Sequence, residues 1–481
     1  MMNRYALGID VGTQGLKGVV VDDRGSVIWS YTSEYETIRP HSGWAEQEPR
    51  AWFKAFHDVL DQLSSTSYNK SLRAVGVTGQ MHSLVVSNDQ GEALRPAILW
   101  SDNRSSHYTQ VLTERFGIHD LLQDTGNYPL ANFSLLRLMW IRDHEPGIFQ
   151  HIRHTAVAKD WLRYMMTGQW GADVSDASGT YLFDVANRSW ATDLMSQLDI
   201  PLEWWSKSYE SPTVIGEMHI GPAEIRGLPV IAGCGDQAAS AVGSRLEPGR
   251  DVGISIGTSG VIFWPLTSWR PPPHPSIHAF CHAFPDSWHW MGVTQSAAAS
   301  LRWFRDLLGG TLSFSVLDTM AASVKPGSEG VIFLPFLQGE RSPLMKSESA
   351  GQFSGLSSVH GTGHLARAIM EGVAFSLRHV WDTINPNNQL APDNVMVTGG
   401  GAQSSLWIQI LADVLGRPIL AMKDPGAAVG AGLLAFGTGS VQELGLRTGV
   451  SVEPSNHSDF YQNLYASYRT RVAQLTHAGW Q

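Results

Sequence analysis

An α/β fold of two similar domains is predicted by three observations. Short apolar stretches of strand length alternate with longer stretches of helical periodicity. At 481 residues the chain is too long for one ordinary core. A pattern of strand, glycine turn and strand occurs twice, with Thr13 in the first turn and Thr258 in the second, about half a chain length apart.

In chain order, residues 5–10 read as a strand, Gly12 to Gly15 as a turn, and VVVDD, closed by Asp23-Arg24-Gly25, as a second strand. The chain therefore opens on a hairpin, not on a strand feeding a helix. LRAVGVTGQ (72–80) and LPVIAGCGD (228–236) are further strands set among helical stretches. Glu247-Pro248-Gly249 marks the boundary, giving domains 1–247 and 248–481. DVGISIGTSGVIFW (251–264) repeats the opening hairpin, and the prolines at 271–273 form a surface loop. HLARAIMEGVAFSLRHVWDTI (364–384) has helical periodicity, and NVMVTGGGAQSSLWIQILADVLG (394–416) reads strand, glycine turn, helix. The tail from Asp459 is one amphipathic closing helix.

Composition narrows the class of partner. Hydrophobic residues at 43% and 18 tryptophans supply buried cores, which excludes bulk disorder. The formal charge of −10 comes without any long Lys/Arg run, so the footprint of a nucleic-acid binder is missing and small molecules are the expected partners. Two cysteines, Cys234 and Cys281, make no disulfide framework and fit a reducing compartment, the cytoplasm. The N-terminus lacks the apolar core of a signal peptide, and no stretch approaches the roughly 18 apolar residues that span a bilayer, so no membrane attachment is expected. His278, Cys281 and His282 invite a metal reading, but without a second cluster a buried strand is the better account.

Four motifs carry chemistry. In Asp10-Val11-Gly12-Thr13 the glycine lets backbone N–H groups approach phosphate oxygens, Thr13 adds a hydroxyl donor, and Asp10 is placed to hold Mg²⁺ directly or through water. Alone it reads equally well as an ordinary turn. Gly257-Thr258-Ser259-Gly260 is its partner, and the pair can enclose a triphosphate from two sides. Gly399-Gly400-Gly401-Ala402 sits between strand and helix, where the backbone can approach a base or ribose. The G-x-G-x-x-G spacing of a dinucleotide site is absent, because Gln403 and Ser404 follow. Finally, Gly233-Cys234-Gly235-Asp236-Gln237 delivers a carboxylate to a helix start. An arbitrary Asp there is a cap, whereas flanking glycines that admit a substrate suit a general base.

Taken together, these segments resemble the FGGY family of carbohydrate kinases over nearly the whole chain, and within it the xylulokinases. GIDVGTQGLK resembles the first phosphate motif, ISIGTSG the second, GCGDQAAS the catalytic-aspartate segment, VTGGGAQSSLW the adenosine motif and GQFSGLSSVHGTGHLARAIMEG the C-terminal signature. AILWSDNR (97–104), TGNYPLANFSLLRLMWIRDHEP (125–146), AKDWLRYMMTG (158–168) and HAFCHAFPDSWHWM (278–291) are similar to xylulokinase segments. The resemblance implies two actin-like domains of the ribonuclease H-like, actin/hexokinase/Hsp70 superfamily. ATP would be held mainly by the C-terminal domain, sugar mainly by the N-terminal one, and catalysis would occur in the cleft between them.

It further implies ATP contacts at Gly12, Thr13, Gln14, Gly257, Thr258, Gly400, Gly401, Ala402 and Ser405, with Mg²⁺ at Asp10. Sugar contacts are implied at Gln80, Met81, His82 and Asp236, the last being the general base, while Trp100 and Asp102, just after a strand, are candidates to line the sugar cleft. The expected reaction is phosphorylation of D-xylulose to D-xylulose 5-phosphate, by a protein that resemblance suggests is a homodimer. The chain departs from the family at Gln14-Gly15, where a hydroxyl residue is usual, and at Asn132 and Arg137, the latter in place of Lys. Met81-His82-Ser83 with Asp102-Asn103-Arg104 also resembles gluconate kinases of the same family. Gluconate, L-xylulose and D-ribulose are therefore alternative acceptors, and a non-catalytic actin-like protein binding sugar or nucleotide is the rival of another class.

Overall fold

The computed structural model describes residues 4–346, 348–437, 439–444 and 449–477. Two seven-stranded mixed sheets organise it. The first comprises β1 (Tyr5–Val11), β2 (Gly15–Asp22), β3 (Val27–Glu34), β4 (Leu72–Gly79), β5 (Val214–Glu217), β6 (Pro229–Ile231) and β7 (Cys234–Gly235), in the order β5-β6-β4-β1-β2-β3, with β7 pairing β4. The second comprises β8 (Asp251–Ile256), β9 (Gly260–Leu266), β10 (His278–Cys281), β11 (Trp288–Thr294), β12 (Asn394–Thr398), β13 (Ile419–Ala421) and β14 (Val450–Val452), in the order β10-β11-β9-β8-β12-β13-β14.

The two sheets share one plan. β1 runs antiparallel to β2 and parallel to β4, as β8 runs antiparallel to β9 and parallel to β12. The internal repeat seen in the sequence is thus a repeat of sheet topology. The opening hairpin turn is tighter than its glycines suggested, because β2 begins at Gly15 and pairs Leu16 with Val11.

Helices cover both faces, so β1 is apolar on both sides instead of alternating. On one face lies α1 (Pro49–Ser64), whose Trp52, Phe56, Val59 and Leu60 join the core of Leu7, Ile9, Val20 and Val75, together with Trp161 and Leu162 of α2 (Ala158–Thr167). The other face is covered by α3 (Asp236–Gly243) and by a helix from later in the chain, residues 427–434. In the second half, α4 (Ala298–Leu307), α5 (Phe314–Ala322), α6 (Thr362–Ile384), α7 (Ser405–Leu415) and α9 (Ser458–His477) lie with the second sheet, while α8 (Ala427–Leu434) returns to the first sheet.

That return depends on small residues. A Cβ on Gly8 would lie 1.9 Å from the Ala428 carbonyl oxygen, one on Gly76 1.9 Å from that of Ala431, and one on Gly430 1.8 Å from that of Ala239. All eight residues of α8 are buried, and none is bulkier than leucine, so the helix can lie almost in contact with the strands. Side chains of the second half thereby brace the strands that end at the candidate site.

Candidate active site

Three parallel strands end level with one another. In the β1–β4 register Asp10 lies opposite Thr78 and Val11 opposite Gly79, and in the β7–β4 register Cys234 lies opposite Thr78 and Gly235 opposite Gly79. Asp10 and Asp236 are therefore delivered from either side of β4, which itself runs into Gln80-Met81-His82. The two carboxylates feel each other. Asp236 is pushed up to about 7, chiefly by burial and then by the charge of Asp10. Asp10 is pushed up to about 6 by burial, partly offset by Lys17, its cross-strand neighbour. The Oδ1 atom of Asp10 is buried without a hydrogen-bond partner.

Gly235 is the N-cap of α3, and Asp236 is the first helical residue, its carboxylate accepting from the backbone N–H of Gln237. Its Oδ1 accepts from the side-chain amide of Gln237 at 3.4 Å. The neighbouring glycines answer to packing more than to substrate. A Cβ on Gly233, at φ +77°, would meet the Val77 carbonyl oxygen at 1.8 Å, and one on Gly235 would meet Met81 Cγ at 2.8 Å. They let the strand lie flush against β4, and that is what sets Asp236 beside Met81.

His82 adopts a left-handed backbone conformation, φ 64°, unusual for a residue with a side chain. Nδ1 lies 2.7 Å from the Gly179 carbonyl oxygen and so carries the proton, leaving Nε2 as an acceptor. Burial holds the imidazole neutral, its pKa lowered to about 3. Ser134 donates to the His82 carbonyl at 2.9 Å, which pins the strained backbone. Arg137, where the family pattern has Lys, ties the same wall together by donating to the carbonyls of Leu99, Trp100, Asn132 and Phe133.

The other sugar-side candidates divide. Trp100 is 38% exposed and its indole N–H donates to the Thr13 hydroxyl at 3.2 Å, so it joins the first turn to the cleft wall. Gln80 is engaged within the protein: its amide donates to Gln47 at 3.0 Å and its carbonyl accepts from Thr13 at 3.4 Å. The Asp102 carboxylate is buried and accepts from Arg104 Nε at 2.9 Å, Arg104 Nη2 at 2.8 Å and the Ala45 backbone at 2.6 Å. Both side chains thus hold their neighbours in place within the protein. Asn132 contributes a carbonyl to Arg137.

The two glycine turns expected to meet phosphate each close on themselves. Gly12 N–H bonds back to Gly15 O at 3.1 Å, Tyr35 donates to Gly12 O at 2.6 Å, and Gln14 is exposed. Gly257 N–H bonds to Ser259 O at 3.1 Å, while the backbone N–H groups of Ala297 and Ala298, entering α4, hold the Thr258 and Gly257 carbonyls. Thr258 is exposed. Because β8 and β12 are parallel with Ser255 opposite Thr398, this turn adjoins Gly399. A Cβ on Gly399, at φ +90°, would meet Ile256 O at 2.7 Å, whereas Gly400 faces open space. Gly401 packs on Ile256, and Ala402, half-buried, continues the turn into exposed Ser405 at the first turn of α7. Ser404 caps that helix, accepting from Trp407 N–H at 3.0 Å and donating to Asp318 at 2.5 Å.

Sequence reasoning missed Lys17 and a buried charge cluster. Lys17 is legible by counting outward from the turn, since a hairpin centred on Thr13-Gln14 pairs it with Asp10. Behind Met81 and Gly235, Lys159 contacts Asp160 at 2.6 Å, Asp173 at 2.7 Å and Asp176 at 3.3 Å, and Arg163 contacts Asp160 at 2.6 Å. The Lys-Asp pair inside AKDWLR was its only local signal. His278 to Cys281 form β10, as expected of a buried strand. Among the described residues no group of three or more His, Cys, Asp or Glu is arranged to hold a metal ion.

Comparison with known proteins identifies the family. Residues 5–243 match the model of the N-terminal domain of the FGGY family of carbohydrate kinases, and residues 252–438 match that of its C-terminal domain. The xylulose kinase of Escherichia coli strain K12 is 36% identical over 434 residues, 89% of this chain and 89% of that protein. The gluconokinase of Bacillus subtilis strain 168 is 27% identical, over 92% of this chain and 89% of that protein. The crystal structure of a xylulose kinase from Rhodospirillum rubrum superposes with a TM-score of 0.89 at 29% identity, covering 98% of this chain and 99% of that one.

Proposed function

The chain belongs to the FGGY family of carbohydrate kinases, and from that premise we propose that it transfers the γ-phosphoryl group of ATP to the terminal C5 hydroxyl of D-xylulose. Its fold is the two-domain α/β arrangement of the actin-like ATPases, and it is a sugar kinase. The observation that carries the site assignment is the pairing of Asp10 and Asp236 at strand ends flanking His82, with Asp236 raised to about 7.

In this reading Asp236, poised near neutral pH, accepts the proton as the sugar oxygen attacks the γ-phosphorus and the bond to the β-phosphate oxygen breaks. His82 Nε2 accepts a hydrogen bond from a sugar hydroxyl and fixes that hydroxyl's orientation. The turns at Gly12-Thr13 and Gly257-Thr258 present backbone and hydroxyl donors to the phosphates, and Gly400, Gly401, Ala402 and Ser405 face the adenosine. The orphaned, buried Oδ1 of Asp10 suits a hard cation held directly or through water, and Mg²⁺ bound with ATP would neutralise phosphate charge there.

Two buried free thiols, together with the absence of any helix among the described residues long and apolar enough to cross a membrane, accord with a cytoplasmic home. Gluconate is the second reading, favoured by the likeness to the Bacillus subtilis gluconokinase. The test is a coupled ADP assay with pure D-xylulose, D-gluconate, L-xylulose and D-ribulose. D-Xylulose should give the highest kcat/KM. A preference for gluconate refutes the substrate, and sugar binding without ADP formation refutes the catalysis.

A further inference from the structure

Beyond Asp236 and His82, the cleft contains a cation that the reaction as described does not use. Arg341 lies in the loop after the second sheet's long excursion, and its backbone is fixed on both sides. Glu340 accepts from Gln295 N–H at 2.7 Å, from Arg341 N–H at 2.8 Å and from the Thr294 hydroxyl at 2.8 Å. Ser342 N–H donates to Val293 O at 2.8 Å, and its hydroxyl donates to Ser276 O at 2.6 Å. The position of Arg341 is thus determined by β11 of the second half.

Its side chain points to His278 of β10, whose ring neighbours His82 of the first half. Nη2 donates to His278 Nε2 at 3.2 Å, and the His278 ring lies 6.4 Å from the His82 ring and 5.6 Å from Phe133. The guanidinium charge is felt at both His82 and His278. Among the described residues no carboxylate lies within ion-pair distance of Arg341. A guanidinium carries five N–H donors and cannot be discharged. One donor is used by His278, so the rest are available to a ligand oxygen.

The order of groups along the wall gives that oxygen an address. Asp236 adjoins Gly235, which touches Met81; His82 follows, then His278, then Arg341. Asp236 thus lies at one end of this row of groups and the Arg341 guanidinium at the other. Resting on the kinase reading above, we propose that Arg341 is a specificity-determining residue that receives the carbonyl- or carboxylate-bearing end of the acceptor, opposite the hydroxyl served by Asp236. A ketose carbonyl and an aldonate carboxylate share the electron-rich planar oxygen that a guanidinium selects; an alditol of the same length lacks it. Because Arg341 comes from the second half of the chain, the sugar would be recognised from both sides of the cleft.

The experiment measures kcat and KM for D-xylulose and D-gluconate, and the inhibition constant of D-arabinitol, which has a CHOH in place of the xylulose carbonyl. Arg341→Gln and Arg341→Lys are compared with the unmodified protein. Losing a charge-assisted hydrogen bond should raise the KM for D-xylulose about 10- to 100-fold in Arg341→Gln, with the arabinitol constant changing less than about threefold. Arg341→Lys, which keeps the charge and a donor to His278, should fold normally and fall between. The D-gluconate arm separates the two oxygen types: a larger loss there assigns the site to carboxylate, a larger loss on D-xylulose to carbonyl. Equal losses for ketose, aldonate and alditol, or an unchanged D-xylulose KM in a folded Arg341→Gln, overturn the proposal. If the unmodified protein phosphorylates neither D-xylulose nor D-gluconate, the kinase substrate reading fails instead, and that result is seen before any variant is made.

Discussion

Asp236→Asn isolates the proton-accepting role, because the amide keeps the size of the carboxylate and cannot take a proton. In the structure the N-cap position of α3 belongs to Gly235, and an asparagine Oδ1 can still accept from the Gln237 N–H that Asp236 engages, so the substitution keeps the contact at the helix start. Burial and the charge of Asp10 lift Asp236 from 3.8 to about 7. Since its folded value lies above its unfolded one, the folded state favours the protonated form. That contribution to stability is present below pH 4 and is lost as pH rises towards 7. A shift of that size corresponds to an upper bound of about 4 kcal/mol, and because Asp236 lines a cleft that water reaches, about 1–2 kcal/mol is the realistic share. At pH 8, where the wild-type carboxylate is charged, Asp236→Asn should therefore be at least as stable as wild type, with a thermal midpoint equal or higher. At pH 4 the two should converge. Turnover should fall by roughly 10²- to 10⁴-fold while sugar and ATP still bind. Calorimetry at both pH values, beside steady-state kinetics, reads all of this. A variant with near-normal kcat, or one that melts well below wild type at pH 8, would refute the reasoning.

Four further outcomes follow from the same geometry. Asp10→Asn removes a charge that raises Asp236, so the acid limb of the kcat/KM profile for sugar, near pH 7 in wild type, should move to lower pH while the KM for Mg·ATP rises; a limb that stays in place contradicts the coupling. His82→Ala should raise the sugar KM about 5- to 20-fold with little change in kcat. Because His82 is neutral down to about pH 3, the wild-type sugar KM should carry no imidazole titration between pH 5 and 9, which a KM profile checks. Lys159→Met strands Asp173 and Asp176 without their cation and leaves Asp160 to Arg163 alone, and should cost about 3–5 kcal/mol, read by urea unfolding; an unchanged midpoint means the cluster carries no net buried charge. Gly76→Ala drives a methyl into the Ala431 carbonyl and should lower stability by about 3 kcal/mol or more as α8 is pushed from the sheet.

What the sequence made legible was punctuation. Glycines at strand ends marked both hairpin turns, the turn from Gly399 to Ala402 and the delivery of Asp236, since those demands are local: a positive φ at Gly233 and Gly399, a tight return at Gly12. The β1–β2 pairing of Asp10 with Lys17 was equally legible, needing only a count from the turn. The assignment of partners was not. Gln80 stands in its motif as a ligand candidate, and its hydrogen bonds to Gln47 and Thr13, 33 and 67 residues away, leave no local trace in the sequence. The return of α8 left no periodic trace, because a helix buried on every side shows no polar face to alternate with an apolar one. The glycines around Asp236 carry the same lesson in reverse. They suggested room for a substrate, whereas their missing Cβ atoms are required by Val77 and Met81. The carboxylate is at the cleft because three strands are packed close enough to end together. Substrate access at Asp236 is thus a consequence of sheet packing, and a residue added at Gly235 should disturb sugar binding through Met81 before it blocks the base.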